Sequence, residues 1–279
     1  LYVTSGFFDA RYLADMGKLE IDGAQLVYEV EGHGPPTLAF AHGWCSMLGH
    51  WDAQATHFRT THRVVRWNRR GMSGSTTDHP AHSPARHADD LAAILDAEGI
   101  ERVTIVGHAG GGPSALAFAD RYADRTDAPI MVDTRLHAPP QPGRENRWAA
   151  GVEQSCQRLS GEGDPDFFRT LYTSFFGPRA DPATVAAAVG NALATPSDVA
   201  VAEMRHMLAD TLSVAKRVVC PVLWVSAQPN DTAVVKDAFA DVEIGHVVGS
   251  GHFVQLEVPE QLNAMMEVFL ASRLGASIG

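Results

Sequence analysis

The spacing of apolar residues changes several times along the chain, and each change marks a new kind of element. Over "KLEIDGAQLVYEVEG" (18–32), Leu19, Ile21, Leu26, Tyr28 and Val30 recur near period two on either side of Asp22-Gly23. That alternation around an Asp-Gly pair predicts a β-hairpin. Short continuous apolar runs follow in "TLAFAHG", "RVVRWNRRG", "VTIVGHAG", "APIMVDTR" and "CPVLWVSAQ", and such runs suit strands buried on both faces. Segments with helical spacing lie between them, among them "ARHADDLAAILDAEGI" and "PSALAFADRYADR". Strand and helix in alternation imply an α/β fold with a mostly parallel, doubly wound sheet. From about His137 to Val214 the strand-like runs stop, and "GRENRWAAGVEQSCQRLS", "PDFFRTLYTSFF" and "PATVAAAVGNALA" read as short helices. The expected organisation is a core from 1–136 and 215–279 with an inserted helical cap over 137–214, in which "HAPPQPG" is a loop by its prolines.

Composition removes several functions. The 279 residues, 45% hydrophobic and 20% charged, are ample for a buried core. A net charge of −11 opposes binding to nucleic acid or to an anionic membrane, since both surfaces are themselves negative. The three cysteines, Cys45, Cys156 and Cys220, lack paired spacing, so free thiols and a reducing compartment are expected. No run of about 18 apolar residues occurs, and the first residues lack the basic and apolar blocks of a secretory signal. A cytoplasmic address is the expectation.

Chemistry concentrates in four places. In "VTIVGHAGGGPSALAFADRY" a strand enters a glycine-rich turn and a helix leaves at once, with Gly107 and Gly111 flanking position 109 at the spacing of the nucleophile elbow G-x-S-x-G. The apex residue is Ala109. A dinucleotide-binding turn is disfavoured, because the G-x-G-x-x-G spacing is absent and no acid stands where a ribose needs one. The hexapeptide "FAHGWC" closes an earlier strand, at the place where a backbone N–H of an oxyanion hole arises; Trp44 and Gly110 are the candidate donors. "GSGHFVQLEVPEQL" sets His252 on a loop before a proline-bounded helix, which makes it the candidate base. The acid that orients it is either Asp133, ending "APIMVD", or Asp231 in "SAQPNDT"; the residues alone do not choose. His79, His82 and His87 cluster in a polar segment without ligand spacing on a helix, so they are expected to be solvated, with no metal site.

Taken together, these stretches resemble the α/β-hydrolase fold, and within it the cofactor-independent 3-hydroxy-4(1H)-quinolone and quinaldine 2,4-dioxygenases. The likeness runs from "HGWC" through "NRRGMSGS" and the elbow to "SAQP" and "GHFVQLEVPE", and is weakest in the cap. Asn68, where most relatives carry aspartate, and Ser226-Ala227-Gln228-Pro229 point to that branch, whereas "HGWC" and the C-terminal histidine motif also occur in ordinary esterases. The resemblance implies Asp133 as the acid, no cofactor and no metal, and a small aromatic substrate and dioxygen as the reactants. It further implies that His252 deprotonates the substrate, that Trp44 and Gly110 hold the resulting anion, and that His42, His108, Trp148 and Phe176 contact it. Trp148, Phe167, Phe168, Tyr172, Phe175 and Phe176 are expected to form an apolar lid. One departure is plain: the family generally keeps a serine at the elbow, as a hydrogen-bond partner of substrate rather than an attacking group. An esterase without that serine loses on the order of 10⁶ in turnover. A serine hydrolase whose nucleophile is replaced by Ala109, and a non-catalytic small-molecule receptor on this fold, stay open as alternatives.

Overall fold

Asp22 and Gly23 both take left-handed dihedrals, with φ of 42° and 72°, which matches the twist of a two-residue hairpin turn. They join β1 (Gly17–Ile21) to β2 (Ala24–Glu31), antiparallel as the alternation predicts. The five apolar runs become β3 (Leu38–Ala41), β4 (Val64–Trp67), β5 (Val103–His108), β6 (Thr126–Val132) and β7 (Val222–Ser226). An eighth strand, β8 (Val242–His246), was not legible in the pattern: it is an edge strand, mostly half-buried, and "VEIGH" has no continuous apolar run. In this computed structural model, which describes residues 16–77, 82–138, 146–161, 163–227 and 232–275, the sheet runs β1-β2-β4-β3-β5-β6-β7-β8. β2 pairs antiparallel with β1 and β4; every pairing from β4 through β8 is parallel.

After β3 comes α1 (Asp52–Phe58), after β4 α2 (Pro84–Ala97), and after β5 α3 (Gly112–Arg121). Between β6 and β7 lie α4 (Arg147–Leu159), α5 (Pro165–Thr173), α6 (Pro182–Leu193), α7 (Ser197–His206) and α8 (Thr211–Ala215). α9 (Thr232–Ala238) follows β7, and α10 (Val254–Glu257) and α11 (Pro259–Leu274) follow β8. Period two along β3 assigns the two faces of the sheet. Ala39 and Ala41 pack toward Leu91 and Leu95 of α2 and Leu116 and Phe118 of α3; Leu38 and Phe40 pack toward Phe58 of α1 and Phe269 of α11.

The cap helices start where their side chains satisfy free amides. Asn146, Asp164 and Asp181 accept from the N–H of Ala149, Phe167 and Thr184 at 3.0, 2.9 and 2.8 Å, with Pro165 and Pro182 in the first turns of α5 and α6. The cap has its own apolar cluster, containing Val152, Cys156, Phe168, Tyr172, Val189 and Met204, and it closes over Trp44 and Phe253 of the core. At the expected boundary after 214, Ala215 joins the layer that covers the sheet beside α2 and α3, and Leu212 and Val214 of α8 pack against the same layer. All three cysteines are free. No single helix among the described residues is long and apolar enough to cross a membrane.

The chain builds outward from β3 to β4 and then returns to place β5 on the other side of β3. Loops leaving β3 and β5 at their carboxyl ends therefore diverge, and open α/β sheets form their binding crevice at such a reversal.

Candidate active site

The elbow stands at that reversal. Ala109 has φ of 48°, the left-handed region that a Cβ disfavours. The close packing around it requires glycine: a Cβ on Gly111 would come within 2.4 Å of the Ala41 carbonyl oxygen, and one on Gly107 within 2.7 Å of the Gly111 carbonyl oxygen. The Thr134 hydroxyl donates to the Ala109 carbonyl at 3.0 Å, tying the turn to the loop after β6. All the devices that present a side chain at the apex are in place, and the side chain is a methyl group.

The loop after β3 lies directly against this turn, since a Cβ on Gly110 would be 3.2 Å from the Trp44 backbone nitrogen. Both residues line the cavity. The Trp44 indole N–H donates to the Ala200 carbonyl of α7 at 2.8 Å.

His252 Nδ1–H donates to Asp133 Oδ2 at 2.6 Å, and Asp133 Oδ1 accepts from the Ala227 amide at 2.9 Å. Burial works to raise the Asp133 pKa, but the hydrogen bond and charge of His252, with the Ala227 amide, outweigh it and hold the carboxyl below its usual range. An ionised Asp133 accepts only, so the imidazole keeps its proton on Nδ1 and its Nε2 lone pair is the basic one. Asp231, the other candidate acid, lies outside the described residues, as does His79.

Three contacts hold the histidine loop. The His252 amide donates to the Phe175 carbonyl at 2.7 Å, and His108 Nε2–H donates to the His252 carbonyl at 2.8 Å. Glu257 accepts from the amides of Gly177, Gly251 and Phe253 at 2.9, 3.0 and 3.2 Å, so one carboxylate joins the loop to the cap. His108 lines the cavity, and burial, reinforced by His252, depresses its pKa to about 3, so it is neutral.

His42 corrects an expectation: it does not line the cavity. Its Nδ1–H donates to the Gly43 carbonyl at 2.9 Å and its Nε2 accepts from the Arg69 amide at 3.0 Å, which leaves no ring nitrogen for a substrate. Burial, then the Arg69 charge, pushes its pKa well down. His82 and His87 are a second correction; they are 5% and 1% exposed and face Glu203 of α7 rather than solvent.

The cavity holds about 470 Å³, within the range of small-molecule sites. Trp148, Phe175 and Phe176 line it, with the Trp148 ring stacked on His137 at 5.1 Å. Phe168 and Tyr172 are buried within the cap instead, and Phe167 lies under the Arg158 guanidinium. Thr134, Arg69 and Glu257 escaped the sequence reading. Each binds backbone groups of the site loops, Arg69 reaching Glu203 as well, and two of them carried a signal, Arg69 inside "NRRGMSGS" and Glu257 inside the histidine motif.

The alpha/beta hydrolase family model matches residues 38–265. The bifunctional esterase/perhydrolase DCH of Acinetobacter calcoaceticus is 35% identical over 124 residues, 40% of this chain and 45% of that protein. The 2-heptyl-3-hydroxy-4(1H)-quinolone dioxygenase of Mycobacteroides abscessus is 29% identical over 133 residues, 43% of this chain and 46% of that protein. Each match thus spans less than half the length of the curated relative. A solved thermophilic esterase from Thermogutta terrifontis superposes with a TM-score of 0.79 at 23% identity, covering 89% of this chain and 94% of that one, a likeness of fold alone. With the family model spanning both sides of the cap, the elbow and the His252 loop, the chain belongs to the alpha/beta hydrolase family.

Proposed function

We propose that the chain is a cofactor-free, ring-cleaving dioxygenase of a 2-alkyl-3-hydroxy-4(1H)-quinolone. The observation that carries the reading is an intact His252–Asp133 pair beside an elbow whose apex is Ala109. That arrangement retains a base and donors for an anion but has no nucleophile, which suits proton abstraction and not acyl transfer. The relative from Mycobacteroides abscessus adds support.

His252 Nε2 takes the 3-hydroxyl proton, and Asp133 stabilises the imidazolium that forms. The Trp44 and Gly110 amides donate to the oxygen at carbon 4, where negative charge gathers. The electron-rich substrate anion reduces dioxygen, the peroxide formed at carbon 2 closes on carbon 4, and collapse of the bridge expels carbon 3 as carbon monoxide. The product is an N-acylanthranilate; all atoms of substrate and dioxygen are accounted for in it and the carbon monoxide. Trp148, Phe175 and Phe176 would enclose the flat ring.

The second reading is an ester or amide hydrolase whose serine is replaced, and the esterase relative favours it. Gas chemistry separates the two, because ester hydrolysis neither consumes dioxygen nor releases carbon monoxide. In chelating buffer the expected yield is one carbon monoxide released and one dioxygen consumed per ring opened. Without oxygen, the bound substrate should show the red-shifted absorbance of its anion. His252→Ala should abolish that spectrum and lower turnover by about 10² to 10⁴ or more. If a series of alkyl-chain lengths gives neither gas exchange nor anion, the dioxygenase reading fails.

A further inference from the structure

Outside the cavity lining, a second polar cluster joins the cap to the core. His82 precedes α2, His87 lies in its first turn, and Glu203 and His206 sit on α7 at i, i+3, hence on one helix face. Glu203 is 3% exposed, as deeply buried as the two histidines it faces. Its Oε1 lies 3.1 Å from His82 Nδ1 and 3.0 Å from His87 Nε2, while its Oε2 is bound by Arg69 Nη1. The three donor atoms of His82, His87 and Glu203 all fall within 4.8 Å of one another.

Hydrogen bonds do not complete this cluster. His87 Nε2 meets Oε1 at 3.0 Å as an ion-pair contact with poor hydrogen-bond alignment, and His206 Nδ1 is buried with no hydrogen bond. A buried imidazole nitrogen left unpaired costs about 1–3 kcal/mol, and His206 Nδ1 is one. The His82, His87 and His206 rings form a triangle with centroids 6.3 to 6.5 Å apart. His87 Nδ1 accepts from the Ser114 hydroxyl at 3.1 Å and from Arg69 Nη1 at 3.3 Å, outer partners that fix the imidazole with Nε2 turned to Glu203. Arg69 occupies the outer oxygen of Glu203 and leaves Oε1 facing the histidines. It is also the principal opposing charge, so binding must come from the donor set and not from net charge.

We propose that His82, His87 and Glu203, with His206 as fourth ligand, form a structural site for a divalent transition metal of the zinc class. Imidazole and carboxylate donors without thiolate suit that class, and Glu-x-x-His on one helix is a recurrent way of presenting two of them. Bonds of about 2.0–2.2 Å require the donors to close slightly around the ion. Bound there, the metal ties α7 of the cap to α2 of the core. Through Arg69, which donates to the Gly43 carbonyl at 2.8 Å, it also braces the loop that carries Trp44.

The test uses the full chain stripped with chelator and then titrated with Zn²⁺ and, separately, Co²⁺. One tightly held Zn²⁺ per chain is expected, with a rise in Tm of roughly 5 °C at a hundredfold excess over Kd. Co²⁺ should give the intense visible bands of a tetrahedral, imidazole-bound ion. His206→Gln, a mild change at the cap side, should weaken Zn²⁺ binding about tenfold or more, and His82→Ala with His87→Gln should abolish it. Less than a tenth of an equivalent bound, the weak spectrum of six-coordinate surface Co²⁺, or binding unchanged in the variants would each overturn the proposal. The cobalt spectrum of the parent protein decides the matter even if the double variant does not fold.

Discussion

Ala109 and Asp133 are the residues where one atom decides the chemistry. Both have left-handed φ, 48° and 41°, so each is held in place by its surroundings rather than by its own preference. Ala109→Ser adds a hydroxyl without changing the backbone requirement. If the site works by proton abstraction, ring cleavage should persist and ester cleavage stay negligible; strong new turnover of p-nitrophenyl esters would return the chain to serine chemistry. Asp133→Asn keeps the shape but can donate to Nδ1, which favours the wrong imidazole tautomer. Turnover should fall by about 10² to 10⁴, with the fold intact by circular dichroism. An undiminished rate would mean that another group orients His252.

Loops after β3, β5, β6 and β8 meet around the cavity, and two devices keep them in register. The first is the tight elbow, where a Cβ on Gly111 would stand only 2.4 Å from the Ala41 carbonyl oxygen. Gly111→Ala should cost about 1–3 kcal/mol or more in urea unfolding, since the obstacle is backbone on both sides. The second is Glu257, whose carboxylate collects three amides from the histidine loop and the cap. Glu257→Ala leaves those amides without their acceptor and should lower kcat more than it raises KM, because the base loses its position while the aromatic lining is untouched. A pure rise in KM would place its role in substrate binding instead.

The molecule as a whole buries imidazoles that its unfolded chain would protonate. Burial holds His50 at about 4 and His108 at about 3, against 6.5 unperturbed. Between those values and 6.5 the unfolded chain binds protons that the folded one does not, so folding is favoured fully above pH 6.5 and progressively less as the pH drops. Asp133 has the opposite displacement: its contribution is present above the usual carboxylate value and lost only at lower pH, as the pH falls through its depressed pKa. The two histidines together contribute a slope of roughly 2.7 kcal/mol per pH unit at most. Denaturant titrations between pH 7 and 5 should show stability falling as acid is added, and His50→Leu should reduce the slope by at most about 1.4 kcal/mol per pH unit. Flat stability over that range would mean that both of these rings are solvated.

Periodicity and turn chemistry sufficed for the hairpin at Asp22-Gly23, the five interior strands and the capped helices, because those signals are local: neighbouring residues carry both the cause and the effect. The elbow was legible for the same reason, as Gly107, Ala109 and Gly111 lie within one turn. Tertiary structure alone decided the rest. Strand β8 lies at the sheet edge and is mostly half-buried, so its sequence carries no apolar run. His42 looked like a substrate contact until the Arg69 amide, 27 residues away, claimed its free nitrogen. Residues 82 and 87 read as solvated because their partner, Glu203, arrives from the cap, 121 positions from His82. A buried polar residue is defined by what the chain folds against it, and that information is spread over separations no local pattern records.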